Sequence, residues 1–276
     1  MSRQLKRYLG SVVAILGALV VFVVPFAFIV LTAMKDRAES ALLSFSWPSK
    51  IVLWDNIKEV VAARDFILVR AFVNSAILTV SSITVMVVLA AMVGYVLQRR
   101  PSRWNKPINF LVLSGLIIPP AVVPTIWVLQ GLGLFRTLPG LVLIEVAYGM
   151  SFCVLLFRNF VATIPRDIDE AAIVDGASPL RLFFSVILPM LRSVIVTAVV
   201  VQSVFVFNDF QNPLYFLPGD ENATVQLTLY NFQSQFNTQW NLLFTDILLI
   251  TIPMLIMFVV FNRKIVDGMT AGAVKG

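Results

Sequence analysis

The chain has 276 residues, of which 59% are hydrophobic and 13% charged, and its mean hydropathy is +0.89. Soluble domains carry about 25% charged residues, so an ordinary water-soluble globule is excluded. There is no histidine and a single cysteine, Cys153, which excludes an intrachain disulfide and any imidazole ligand, base or proton relay supplied by this chain. The net charge of +6 does not point to nucleic acid, because Lys and Arg stand at the ends of apolar runs, with no basic stretch interleaved with aromatics.

Residues 9–34 carry no Asp, Glu, Lys or Arg, and neither do 71–97 or 107–135. Each run exceeds the roughly 20 residues a helix needs to cross about 30 Å of hydrocarbon. In lipid the backbone must satisfy itself, so helices are expected. The first run follows a basic start, as in a signal peptide, but it is too long for a signal core and lacks a small-x-small cleavage site, so it reads as an uncleaved span. The segment 35–70 is the longest outer loop, and its Trp47, Pro48 and Trp54 suit the membrane interface. Pro119, Pro120 and Pro124 interrupt the third run. They fit a hinge and the packing of a kinked helix equally well.

Three further spans are expected at about 137–157, 182–208 and 242–262, the fourth carrying Glu145, the fifth broken by Pro189 and Arg192, the sixth carrying Asp246. The expected fold is an all-α integral membrane protein. One transmembrane domain, 1–276, has six helices at about 9–34, 71–97, 107–135, 137–157, 182–208 and 242–262. With the amino terminus inside, 14 of the 21 Lys and Arg fall on the inner side, so both termini and the loop 158–190 are expected in the cytoplasm. The chain contains no G-x-x-x-x-G-K-[ST] phosphate loop, so energy must come from a partner or an ion gradient.

The inner loop reads "IPRDIDEAAIVDGASPL". Pro165 fits a first helical turn, and Asp167, Asp169 and Glu170 fit the positive end of that helix. Gly176 suits a left-handed stop, and Ser178 before Pro179 suits the cap of a second helix. On the first helix, expected over 165–175, Ile168, Ala171, Ala172 and Asp175 share a face by spacing. Two alanines there permit close approach by another surface. Asp175 sits where a negative charge is unfavourable, which predicts a donor on a partner or on the next helix. A solvated connector and a docking helix both fit these features.

Ionisable groups inside spans are costly and face a cavity or a partner. Glu145, Tyr148, Gln202, Asn208 and Asp209 supply the donors, acceptors and ring that a polar solute path needs. Other readings stand beside this one. Asp209 and Asp246 fit a position at the outer interface in contact with water, Glu145 fits a subunit interface, and Gln202 and Thr197 fit hydrogen-bond glue between helices.

"EAAIVDGASPLRLFFSVILP" resembles the EAA loop of ABC importer permeases, with Glu170, Ala171, Ala172, Gly176, Ile187 and Pro189 at the motif positions. "RAFVNSAILTV", "GLGLFRTLPGLVL" and the ending "GMTAGAVKG" are similar to carbohydrate permeases of the maltose-transporter type, and the likeness runs from about residue 20 to 276. The chain departs from the family pattern at Ser193, at Phe207 and in "LFTDI". The resemblance implies the type I ABC importer permease fold, with Glu170, Ala171, Ala172, Asp175, Gly176 and Ser178 in the loop that couples to an ATPase. It further implies a homologous second permease, two ATPase copies that bind ATP and Mg, an extracytoplasmic solute-binding protein and a place in the cytoplasmic membrane of a bacterium or archaeon. The chain itself would be a transporter subunit without catalytic residues, metal or cofactor. The carboxyl-terminal tail, 265–276, would reach between the ATPase subunits, against the alternative of a frayed end. The implied cargo is a sugar or oligosaccharide. The alternatives are another polar solute, such as a glycerol phosphate, and an ion-coupled secondary transporter that uses Glu145, Asp209 and Asp246.

Overall fold

The computed structural model describes the backbone of residues 3–233 and 238–273 and the side chains of 11–233 and 238–261. The described residues are helical, with no strand among them. Helix α1 is Arg3–Ala33, α2 Arg37–Ser40, α3 Leu53–Arg99, α4 Asn105–Ile117, α5 Val122–Gly131, α6 Leu138–Val161 and α7 Asp167–Val174. Helix α8, Pro179–Met190, and α9, Arg192–Asn208, meet at a bend of 76°. The short α10 (Gln211–Phe216) and α11 (Val225–Thr228) follow, and α12 is Trp240–Ala273. Among the described residues, four helices are long and apolar enough to cross a membrane, and the bent α8–α9 pair adds a fifth candidate.

The third expected span is not one helix. It divides into α4 and α5, with Ile118 extended at φ −77° and ψ 122°. The cause is local: the residue before a proline avoids the α region, and Pro119 and Pro120 offer no N–H to continue the ladder. Pro124 sits in the first turn of α5, where a missing N–H is harmless. The loop expected over 35–70 is also partly helical, because α3 begins at Leu53. Arg64, Asp65 and Phe66 interrupt that helix with positive φ of 44°, 53° and 60°. In the fifth span the bend falls at Leu191, between the expected breakers Pro189 and Arg192. The turn before it, Leu182–Ile187, is wound as a π-helix, a form that inserts one extra residue per turn.

The chain forms two compact units, Met1–Arg70 with Leu227–Pro253, and Ala71–Gln226 with Met254–Gly276. In the first, Asn56 ties the end of α1 to the start of α12. Its amide donates to the Ala33 and Lys35 carbonyls at 2.8 and 2.9 Å, and its oxygen accepts from Asn241 at 2.9 Å. Phe28 meets Phe244 edge to face at 5.5 Å. Asp246 does not reach water at the outer interface: it is fully buried, and the Thr228 hydroxyl donates to it at 2.8 Å.

The second unit is built around α3, α6, α8 and α9. Met86, Ala90, Ala91, Cys153, Phe157, Ile187, Leu191 and Ala198 make its centre. Gly94 lets α3 lie directly on the α6 backbone, since a Cβ there would sit 2.9 Å from the Arg158 nitrogen. Small residues serve this purpose in membrane helix pairs, where lipid offers no hydrophobic drive to associate. Arg158 extends the contact to α4, donating to Asn109 Oδ1 at 2.7 Å. Cys153 is fully buried with its sulfur 3.6 Å from that of Met86. Thr197 is not glue between helices, because its hydroxyl donates to the Ser193 carbonyl one turn back at 3.3 Å.

Candidate functional site

Helix α7 carries the expected coupling residues. It starts at Asp167, two residues after Pro165, and its acidic first turn fits the helix dipole. The left-handed stop at Gly176 is present, with φ +77°. Gly176 N–H donates to the Ile173 carbonyl and Ala177 N–H to the Ala172 carbonyl, both at 3.0 Å. That 5→2 and 6→1 pair is a Schellman motif, and it satisfies carbonyls the helix end would leave bare. Ser178 then caps α8, accepting from Arg181 N–H at 3.4 Å with Pro179 in first place.

The faces of α7 differ from the spacing argument. Ile168 and Ala172 pack inward on the unit's core, so they are not a docking face. Glu170, Ala171, Ile173, Val174 and Asp175 point outward, and Val174 is 86% exposed. Leu180, across the turn, is also exposed. The outer surface of the turn is therefore apolar beside two acids. Asp175 is exposed and its carboxylate makes no hydrogen bond or ion pair among the described residues, so the donor expected at the start of the next helix is not there.

Asp169 was expected only as one of the acids at the helix start, yet it also fixes α7 to the membrane helices. It is buried, accepts from the Tyr95 hydroxyl at 2.6 Å and pairs with Arg99 at 3.3 Å. Arg99 also donates to the Ile164 carbonyl at 2.6 Å, which sets how the chain enters α7. The only sequence sign was an acid at a helix start and a basic end on α3.

A second feature is a cavity of about 740 Å³ between α6 and α9. It is lined by Glu145, Tyr148, Gly149 and Phe152 from α6, Val201, Gln202, Val204, Phe205 and Asn208 from α9, and Asp209 and Asn212. All five residues proposed for a solute path therefore meet on one wall or another. Phe152, Phe205 and Asn212 were missed. Phe152 was recoverable, since 145, 148, 149 and 152 follow the i, i+3, i+4, i+7 spacing of one helix face. Glu145 is buried and accepts from the Asn212 amide at 3.1 Å. Asn208 accepts from Gln226 at 3.2 Å. The cavity size suits a small ligand, and its apolar and aromatic walls with few polar groups suit the two faces of a sugar ring.

Asp209 has a structural task as well. Its carboxylate accepts from the N–H groups of Gln211 at 2.9 Å and Asn212 at 3.3 Å, which caps α10. Loss of such a cap costs about 1 kcal/mol. Asp209→Asn keeps an acceptor for the cap, whereas Asp209→Ala removes it. If the cap is the main role, uptake by reconstituted protein falls several-fold in the Ala variant and stays near wild type in Asn. Equal losses in both would assign the effect to the charge.

The family described as "Binding-protein-dependent transport system inner membrane component" matches residues 86–270. The probable starch degradation products transport system permease protein AmyC of Thermoanaerobacterium thermosulfurigenes is 31% identical over 99% of this chain and 97% of its own length. The melibiose/raffinose/stachyose import permease protein MelC of Bacillus subtilis is 29% identical over 92% of this chain and 91% of its own. A chain from the crystal structure of a bacterial ABC transporter involved in the import of the acidic polysaccharide alginate superimposes with a TM-score of 0.80. It is 19% identical, and the match covers 95% of this chain and 98% of that one.

Proposed function

Because this chain belongs to the family of binding-protein-dependent transport system inner membrane components, we propose that it is the membrane-spanning permease subunit of an ATP-driven ABC importer for a sugar or oligosaccharide. The relatives that match along almost the whole chain are named for probable transport of starch degradation products and for import of melibiose, raffinose and stachyose, which supports the cargo. The cavity between α6 and α9 supports a polar cargo with apolar ring faces, and Glu145, Tyr148, Gln202, Asn208 and Asp209 would meet it there.

The observation that carries the mechanism is the exposed turn at 170–180, rigidly stopped by Gly176 and anchored by Asp169. In this reading an ATPase subunit, holding ATP and Mg²⁺, docks on Glu170, Ala171, Val174, Asp175, Gly176 and Ser178. Its closure moves α7, the movement passes through α8 to the α9 wall of the cavity, and access alternates. A ligand moves a conformational equilibrium only by its differential affinity for the two states, so the ATPase must grip this turn differently when closed. A homologous second permease, two ATPase copies and an extracytoplasmic solute-binding protein complete the assembly. Six spans, both termini in the cytoplasm and one domain over 1–276 belong to this proposal. Side chains of the tail 265–276 lie outside the described residues.

The test is uptake by proteoliposomes holding the assembled complex. Uptake should require ATP and binding protein, and uptake driven by an ion gradient without ATP would overturn the proposal in favour of a secondary transporter. Gly176→Val tests the turn. No atom lies within 4 Å of the position a Cβ would take, so the cost is conformational alone. A non-glycine left-handed residue costs about 1–2 kcal/mol. The variant should reach the membrane in normal amount and lose roughly 5- to 30-fold in coupled uptake. Wild-type uptake would make the loop a mere connector.

A further inference from the structure

The segment between α1 and α3 is built inside out for a loop in water. Lys35 is among the large, fully buried side chains of the described residues, at 1% exposure. Its ammonium donates to the Ser44 carbonyl at 2.7 Å, to the Ser46 hydroxyl at 3.0 Å and to the Ser44 hydroxyl at 3.3 Å. The Glu39 carboxylate accepts from Ser49 N–H at 3.1 Å, and Val52 N–H donates to the Met34 carbonyl at 3.0 Å. These bonds fix the loop's path from both ends. What the fixed loop presents outward is Leu42, Trp47, Ile51 and Trp54, which are 57–74% exposed. Water favours the reverse arrangement, with the ammonium solvated and the large apolar groups covered.

The loop also touches the helix whose outer half is exposed and apolar. Residues 11–26 of α1 are exposed throughout, within a span of mean hydropathy 3.0. Phe45 of the loop stacks on Phe28 of that helix, with centroids 6.2 Å apart. Tryptophan is the residue of the bilayer interface, where an apolar ring and a polar N–H are both served. Lys58 lies one turn beyond Trp54 with its ammonium 5.7 Å from the ring, so it can cover the ring and still reach a headgroup. Lys50 stands beside Ile51 on the same segment.

We propose that residues 42–54 form an interfacial anchor, with Leu42, Trp47, Ile51 and Trp54 set into the boundary between acyl chains and headgroups of the leaflet that receives the end of α1. Lys50 and Lys58 then meet lipid phosphates. The buried Lys35 holds the loop in the shape that displays these groups, so the anchor enters the bilayer without first paying to order the chain.

Collision of spin labels with oxygen, which concentrates in acyl chains, and with a water-soluble nickel chelate tests this. Labels are placed by Trp47→Cys, Trp54→Cys and Leu42→Cys, one at a time, in the full chain assembled with its partner subunits in bilayers. Val20→Cys on α1 serves as the lipid reference. All three loop positions are exposed, so substitution leaves the packing intact. The expected result is an oxygen-to-nickel collision ratio shifted toward that of Val20→Cys at all three. A ratio dominated by nickel would place the loop in water, and low collision with both would place it under a protein partner. Either result overturns the anchor.

Discussion

Replacing Asp169 by Ala is expected to uncouple the transporter while leaving most of the fold in place. The substitution removes the acceptor of the Tyr95 hydroxyl and strands Arg99, whose side chain is 7% exposed, beside the start of α7. Breaking one partner of a buried ion pair costs about 3–5 kcal/mol, because the remaining charge is uncompensated. That energy falls on an eight-residue helix at the rim of its unit, so it appears as loss of α7's fixed position. A shift of about 3 kcal/mol changes the docked fraction by roughly 100-fold. Substrate-stimulated ATP hydrolysis in proteoliposomes should be lost and uptake should fall at least about 10-fold. Arg99→Ala should do the same, and the double variant should cost less than the two single effects added together, as for residues in direct contact. Full coupling in Asp169→Ala would mean that the Schellman turn alone positions α7.

Gly94→Val is expected to act on the fold and not on coupling. A Cβ at this position would sit 2.9 Å from the Arg158 nitrogen, 3.0 Å from Phe157 Cβ and 3.1 Å from the Val154 carbonyl oxygen. Two of these are backbone atoms of α6, so no rotamer change relieves the contact, and α3 must move off α6. Overpacking of this kind costs about 1–3 kcal/mol and more where the backbone is held. Here Arg158 holds it from the far side, through Asn109 of α4. The amount of monodisperse protein recovered from membranes should drop several-fold and the thermal midpoint should fall. An unchanged midpoint would mean that α3 and α6 can separate at little cost.

The coupling loop was legible because its signals are local. A glycine that must take φ +77°, a serine before a proline and acids in a first turn each act within four residues. The outward face was misread, since spacing groups Ile168 with Ala172 but cannot say whether that face looks in or out. The anchoring role of Asp169 was invisible for the opposite reason: its partners lie on α3, 74 residues upstream for Tyr95, and single-sequence patterns carry no such pairing. The polar residues of the cavity were each recognisable as costly in a span, and helical spacing accounts for one wall. The meeting of that wall with α9 belongs to tertiary packing. The double proline was read correctly as a point of weakness, but its consequence, two short helices in place of one span, exceeded the bend expected. The burial of Asp246 was hidden by its place near a helix end, where sequence favours water.

Cys153 gives the protein a chemical sentinel. It is the chain's single thiol, sealed at 0% exposure between the helices that Gly94 brings together. A maleimide added to the intact protein meets no reactive sulfur on this chain, so engineered cysteines can be labelled without first removing the native one. The same thiol becomes available once α3 and α6 part. Its labelling rate is then a clock for opening of that unit, readable in the membrane, without detergent and without any transport assay.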